Sequence, residues 1–380
     1  MANEKRVGGI DFWRGSVLIA ILVDHIPGNL LESLTPRNFG LSDSSEAFVF
    51  LSGLSVGLVY LPRARKHGLA AVARGCLQRA VKLYGLHIAL TAAALVIFGC
   101  AYWASGVDDL IEAHGRAFVF GSPTTGLAGL ALLSHQLGYF NILPLYVVLM
   151  LWAPIAVAIA IRGPALAGLA SGAVYAASRM FGLHLPNWPE PGGWFFNPLA
   201  WQLAFTMGLV CAIFWRHGPP RATPGLVWLS AAGVVFAALV TTNAAGFAPG
   251  LRDAASLHLD LAKQDLGLAR LAHFAALAYL VAIAPGLPQM AEGRVGRAVQ
   301  AVGRNGLAVF AAGSLWSAIG QAALGAALPY TTVGIERLAG LAYTLAGVAA
   351  LFIFSRWIEC RKTSVTANRP VFRSAAPQPL

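Results

Sequence analysis

Ten apolar runs, separated by short polar or Pro- and Gly-rich breaks, make up most of the chain. They lie near 10–31, 44–62, 78–101, 143–161, 164–183, 198–215, 225–245, 267–286, 305–328 and 338–358. About 20 apolar residues in a helix rising 1.5 Å per residue cross a bilayer, so each run has roughly the length of a span. The breaks carry turn formers, "TPRN", "GPP", "APG" and "LPY". The longest break, 102–142, contains a weakly amphipathic stretch from 124 to 139, expected as an interfacial or re-entrant helix. No internal repeat is visible. The pattern predicts an all-α, polytopic transmembrane helix bundle of about ten spans in a single domain, 1–358. A polar tail, 359–380, is expected to be disordered.

Composition agrees. The 380 residues are 57% hydrophobic and 11% charged, with a mean hydropathy of +0.65, whereas soluble domains carry about 25% charged residues. The net charge of +11 does not imply nucleic acid. If the N-terminus is cytoplasmic and ten spans alternate, most of the 27 Lys and Arg residues fall on the cytoplasmic side and most of the 16 acids on the other. That is the positive-inside bias, and it places both termini in the cytoplasm. The four cysteines, Cys76, Cys100, Cys211 and Cys360, have no paired spacing, so neither a disulfide framework nor a metal site is expected. The first run is too long for a signal-peptide core, and no small-residue cleavage site follows it, so no cleavable signal is expected.

The ionisable residues inside the apolar runs change the picture. Asp11, Arg14, Asp24 and His25 all lie in the first. Arg14 and His25 are eleven residues apart, about 16 Å along a helix and about three turns plus 20° around it. They therefore share one face, with Asp11, while Asp24 points about 80° away. Ionisable groups within a span usually face a protein interior or a water-filled cavity. A snorkelling Arg14 paired with Asp11, and a core His25 bonded to a carbonyl, are the plainer alternatives.

Other stretches add polar groups at the same levels. In "RNFGLSDSSEAFVFLSG", 37–53, Asp43 and Glu46 fit a capping box at a helix start. A carboxylate there is also placed to orient an imidazole. Ser52 and Gly53 read as a close helix-packing position. In "HLPNWPEPGGWFFNPLAWQLAF", 184–205, Trp194, Asn197, Trp201 and Gln202 suggest a sugar platform, although an aromatic belt at the interface accounts for the tryptophans. Asn141, Tyr146, Arg270, His273 and Ser314 are further polar groups in spans, each read first as a satisfied interhelical hydrogen bond. Arg79, Lys82 and Arg304 form a basic cluster suited to phosphate or to anionic lipid. No Walker loop, HExxH or dinucleotide-binding glycine fingerprint occurs.

Taken together, "IDFWRG", "VDH" and "RNFGLSDSSEAFVFLSG", followed by "FNILPLYVVLMLWAP", "WFFNPLAWQLAFTMG" and "VGRNGLAVFAAGSLWS", resemble the OpgC family. The family lies within a wider membrane acyltransferase superfamily, which shares an arginine, ten intervening residues and a histidine on the first helix; Arg14 and His25 match that spacing. One departure is visible: Asn305-Gly306 stands where the family often has serine or histidine. The resemblance implies a bacterial inner-membrane enzyme moving an acyl group, succinyl in that family, from cytoplasmic acyl-CoA to a hydroxyl of a periplasmic glucan. It implies CoA phosphates near Arg14 and Asp11, with Arg79 and Arg304 nearby, and His25 as general base oriented by Asp24, Asp43 or Glu46. An acyl-histidine intermediate is an alternative route. The acceptor is expected to meet Asn38, Trp194, Asn197, Trp201, Gln202, Arg270 and His273. No tightly bound cofactor is expected; the partners are donor, acceptor and membrane lipids, with a homo-oligomer left open. A transporter, or an assembly partner in glucan export without chemistry of its own, is the competing class.

Overall fold

A computed structural model describes residues 8–26, 28–215, 218–242, 250–327 and 332–367. The described chain is helical throughout. In order it forms α1 (Gly8–Asp24), two 3-10 turns (Leu30–Leu34 and Pro36–Asn38), α2 (Ser44–Ser105), α3 (Asp109–Glu112), α4 (Arg116–Gly121) and α5 (Pro123–Ala131). Then follow α6 (Ile142–Arg162), α7 (Pro164–Met180), α8 (Pro198–Trp215), α9 (Pro224–Thr242) and α10 (Leu251–His258). Last come α11 (Leu268–Ile283), α12 (Leu287–Glu292), α13 (Arg294–Arg304), α14 (Gly306–Ala327) and α15 (Val333–Ala367). One isolated antiparallel bridge, Pro186 with Gly193, ties a loop between α7 and α8.

Each of the ten apolar runs lies on a helix. Among the described residues six helices are long and apolar enough to cross a membrane: Ser44–Ser105, Ile142–Arg162, Pro198–Trp215, Pro224–Thr242, Gly306–Ala327 and Val333–Thr363. α1, α7 and α11 are shorter, at 17, 17 and 16 residues. The 62-residue α2 is two legs. Gly68 sits at φ 76°, outside helical geometry. A Cβ on Gly75 would lie 2.9 Å from Tyr60, whereas fifteen residues of straight helix would separate them by about 22 Å. The chain therefore doubles back at Gly68, a conformation that glycine adopts without penalty.

The core forms where α2 meets α6, α8 and α14. Trp201, Phe205, Leu145, Leu149 and Leu209 are fully buried there. At the expected close-packing position, a Cβ on Gly53 would lie 1.8 Å from the carbonyl oxygen of Phe205, so the two backbones touch. On the other side α1 packs on α13. A Cβ on Gly303 would lie 1.8 Å from the carbonyl oxygen of Asp11.

Three expectations are adjusted. α13 was not foreseen: its sequence, RVGRAVQAVGR, is too polar for an apolar run, yet Gly296, Val299, Ala301, Val302 and Gly303 form a buried stripe. The helix expected over 124–139 stops at Ala131, where Leu133 turns to φ 61° and breaks the helical path. The chain beyond 358 stays helical to Ala367, held by Arg304 against Glu359 and by Lys362 against Asn305. The rest of the expected tail, 368–380, lies outside the described residues.

Candidate active site

The helical ladder of α1 continues through His25, whose N–H donates to the Ile21 carbonyl at 3.1 Å. The eleven-residue offset therefore holds as helix geometry, with Arg14 and His25 about 16 Å apart along one face.

At the Arg14 end the guanidinium is taken up by protein. Nη1 donates to Asp11 Oδ1 at 3.1 Å and to the Gly303 carbonyl at 3.4 Å, and Nη2 donates to the Ser55 hydroxyl. Ser55 in turn donates to the Leu51 carbonyl at 2.6 Å. Asp11 is buried, because α13 approaches closely enough to cover it. Three helices thus meet on one arginine. Arg79 is exposed on the second leg of α2; it and Arg14 both lie within electrostatic reach of Tyr146. The Tyr146 hydroxyl donates to the Phe48 carbonyl at 2.7 Å and lies 2.8 Å from the Ser52 hydroxyl, from which it can accept. Arg304 forks onto both oxygens of Glu359, at 2.6 and 2.9 Å, and so braces α13 against α15.

At the other end of α1 the backbone is fixed and the ring is not. Gln321 of α14 donates to the His25 carbonyl at 2.8 Å. Asn29 donates to the Val23 carbonyl at 3.0 Å and to that of Ile26, satisfying carbonyls that a helix end leaves open. Among the described residues no group hydrogen-bonds the His25 imidazole. Its ring meets Tyr139 edge-on, with centroids 4.9 Å apart. Lys263, Asp43 and Arg37 lie within electrostatic reach of it.

The capping box predicted at Asp43 and Glu46 is present: the Asp43 N–H donates to Glu46 Oε2 at 2.9 Å, and Asp43 Oδ1 accepts from Ser45 N–H at 2.8 Å. The same carboxylates carry an ion cluster. Lys263 Nζ reaches Asp43 Oδ2 at 2.6 Å, and Arg270 bridges Asp43 Oδ2 at 3.1 Å and Glu46 Oε1 at 2.7 Å. Glu46 is fully buried, so Arg270 is its necessary counter-charge. Burial alone would raise the Asp43 carboxyl, but Lys263 and Arg270 outweigh it and hold that group well below the usual carboxylate range. Of the three carboxylates expected to orient His25, these two are committed to cations. Asp24 is not: its buried Oδ1 has no hydrogen-bond partner among the described residues. Thr35 lies beside it but gives its hydroxyl to the Glu32 carbonyl at 2.8 Å.

The residues expected to form a sugar platform are placed differently. Trp201 is fully buried and its Nε1 donates to the Lys263 and Gln264 carbonyls at 3.0 and 3.1 Å. Asn197 begins α8 and donates to Asp265 Oδ1 and to the Leu183 carbonyl, both at 2.8 Å. Gln202 is buried and spent on Ser171, accepting from its hydroxyl at 2.6 Å and donating to its carbonyl at 2.9 Å. Trp194 is buried, with its Nε1 unpartnered among the described residues. None of these four presents an open face; Trp201 and Asn197 pin the 260–266 loop from which Lys263 reaches Asp43. His273 is likewise buried, bonded through Nδ1 to the Ser42 hydroxyl at 2.7 Å and packed on Gly40. Asn38 is half-buried and donates to the Glu32 carbonyl at 2.6 Å, shaping the 3-10 loop beside Asp24. Sequence reasoning missed Lys263, Arg37, Asn29 and Gln321. The first two read as ordinary loop cations, and nothing local marks the others.

The described residues form a bundle of helices, several long and apolar enough to cross a membrane, with a paired arginine at one end of an α1 face and, at the other, a histidine whose ring makes no hydrogen bond among the described residues. The family model described as OpgC protein matches residues 6–363, and the chain belongs to the OpgC family. Membership implies a membrane acyltransferase for periplasmic glucans. Comparison with curated proteins and with solved structures gives no match.

Proposed function

We propose that the protein carries an acyl group, succinyl by the family resemblance, from acyl-CoA at the Arg14 end of α1 to a glucan hydroxyl at the His25 end. In this reading the bundle crosses the bacterial inner membrane ten times with both termini cytoplasmic, as the distribution of Lys and Arg favours. Arg14, steadied by Asp11, meets the CoA phosphates, with Arg79 contributing to the same basic side. The acceptor arrives from the periplasm. A ring nitrogen of His25 takes the proton of the sugar hydroxyl as its oxygen attacks the thioester carbonyl. The C–S bond breaks, the new C–O ester remains on the glucan, and the proton passes from His25 to the departing CoA thiolate. Asp24, whose Oδ1 is uncommitted, is the carboxylate best suited to steady the imidazole.

The observation that carries this reading is the His25 ring, without a hydrogen bond among the described residues, on a backbone fixed by Gln321 and Asn29 and on the same helix face as Arg14 in a chain of the OpgC family. Purified protein supplied with labelled succinyl-CoA and a glucan should form a labelled ester. No transfer across several acyl donors and acceptors would sink the enzyme reading.

A further inference from the structure

The 106–141 segment places one aromatic ring against His25 at a conformational cost. Tyr139 stands at φ 70° and His114 at φ 58°, the left-handed region that side-chain-bearing residues rarely adopt. The two are linked: the Gly138 N–H donates to the His114 carbonyl at 2.9 Å, and the His114 and Tyr139 rings meet with centroids 5.1 Å apart. The surrounding loop is firmly anchored. Arg116 is buried over the Phe98 ring at 4.0 Å, His135 Nε2 pairs with the Gly115 carbonyl at 2.8 Å, and the Tyr84 hydroxyl donates to the Ala131 carbonyl at 2.9 Å. Strain of this kind persists where the surroundings over-determine it, and it clusters at functional sites.

Three rings then run in a row from solvent inward: exposed His114, half-buried Tyr139 and half-buried His25. The Tyr139 hydroxyl makes no hydrogen bond among the described residues. Arg37 and Glu32, paired with each other, lie within electrostatic reach of it, and both lie within reach of Asp24, whose Oδ1 has no hydrogen-bond partner among the described residues. An apolar ring face beside an uncommitted carboxylate oxygen and a cation is the chemistry that holds a neutral sugar: the ring takes the C–H face, and the polar groups take the hydroxyls.

We propose that Tyr139 is a positioning residue for the acceptor, holding a glucose unit of the glucan so that one hydroxyl reaches His25 and another meets Asp24. This rests on the acyl-transfer reading above. Core packing alone does not account for the left-handed backbone, since glycine would hold that turn without strain.

The test separates the two roles. Tyr139→Gly should raise the acceptor KM by about five- to tenfold and leave the KM for succinyl-CoA unchanged. Because it relieves strain, it should not lower Tm. Tyr139→Phe and Tyr139→Trp should keep the acceptor KM near wild type, and Tyr139→Leu should not. A Tyr139→Gly protein with lower Tm and all kinetic constants shifted together, or with an unchanged acceptor KM, overturns the proposal. Calorimetric binding of a linear β-linked glucose oligosaccharide, without any acyl donor, is the independent arm. If wild type binds it and Tyr139→Gly binds it more weakly, the acceptor role stands even where transfer fails. If wild type does not bind it, the acceptor role falls, whatever becomes of the enzyme reading.

Discussion

The two ends of α1 carry charge in opposite conditions. Around Arg14 the guanidinium is shared by Asp11, the Gly303 carbonyl and Ser55, and three helices are joined by it. Around His25 the backbone is held, but among the described residues nothing hydrogen-bonds the ring or the buried Oδ1 of Asp24, and Tyr139 stores backbone strain. A satisfied network contributes to the fold and presents a preset charge. An unsatisfied one costs stability and is kept where a ligand completes it. The contrast suggests that stability and activity should separate at the His25 end and travel together at the Arg14 end.

The largest effect is expected at His25. Replacing it with alanine should cut transfer by about 10²–10⁴, the usual worth of a general base, while Tm barely moves, because no described group hydrogen-bonds the ring. Full activity in His25→Ala would remove the proposed base; a large drop in Tm would break the contrast instead. Next comes Arg270→Ala. It leaves the buried Glu46 without its cation, and breaking a buried pair typically costs about 3–5 kcal/mol. Thermal unfolding in detergent should show that loss. Glu46→Gln in the same background should recover part of it, and no recovery would mean that Arg270 matters for another reason. Arg14→Ala should raise the donor KM, on the order of tenfold for a lost charge-assisted contact. It should also lower Tm, since the contacts that Arg14 makes to Asp11, Gly303 and Ser55 are lost together. A donor KM that stays put would take Arg14 out of the donor site.

The helices were legible in the sequence because long apolar runs leave little alternative to a membrane helix. The offset from Arg14 to His25 was legible because helix geometry converts spacing into a face. α13 was not, since Arg294, Arg297 and Arg304 mask the small-residue stripe that packs on α1. The tryptophans and amides around α8 misled for a related reason. Composition shows that Trp201 and Gln202 are amphipathic, but only the fold shows that the 260–266 loop and Ser171 already use their polar atoms. Lys263 and Tyr139 come from distant loops, and one sequence carries no signal for such long-range meetings.

The smallest expected effect is the sharpest check on the ion cluster beside His25. Asp43 is held below its ordinary range by Lys263 and Arg270, so its folded pKa lies under the unfolded value of about 3.9. The unfolded chain then binds the proton more readily than the folded one. The stabilisation is therefore fully present above about pH 5, and it fades as pH falls through 4 toward the depressed folded value. Asp43→Asn removes that titration. Wild type should exceed Asp43→Asn in Tm by an amount that is constant from pH 7 to about pH 5 and shrinks below, the difference being on the order of a few degrees. Comparison with the variant cancels the acids that do not touch Asp43, leaving only its Arg270-sharing neighbour Glu46 coupled to the change. A gap that stays constant down to pH 3 would mean that Asp43 contributes through its cap to Ser45 and not through its charge. The cations would then serve Glu46 alone, and Lys263 would be left to act on the His25 side of the cluster.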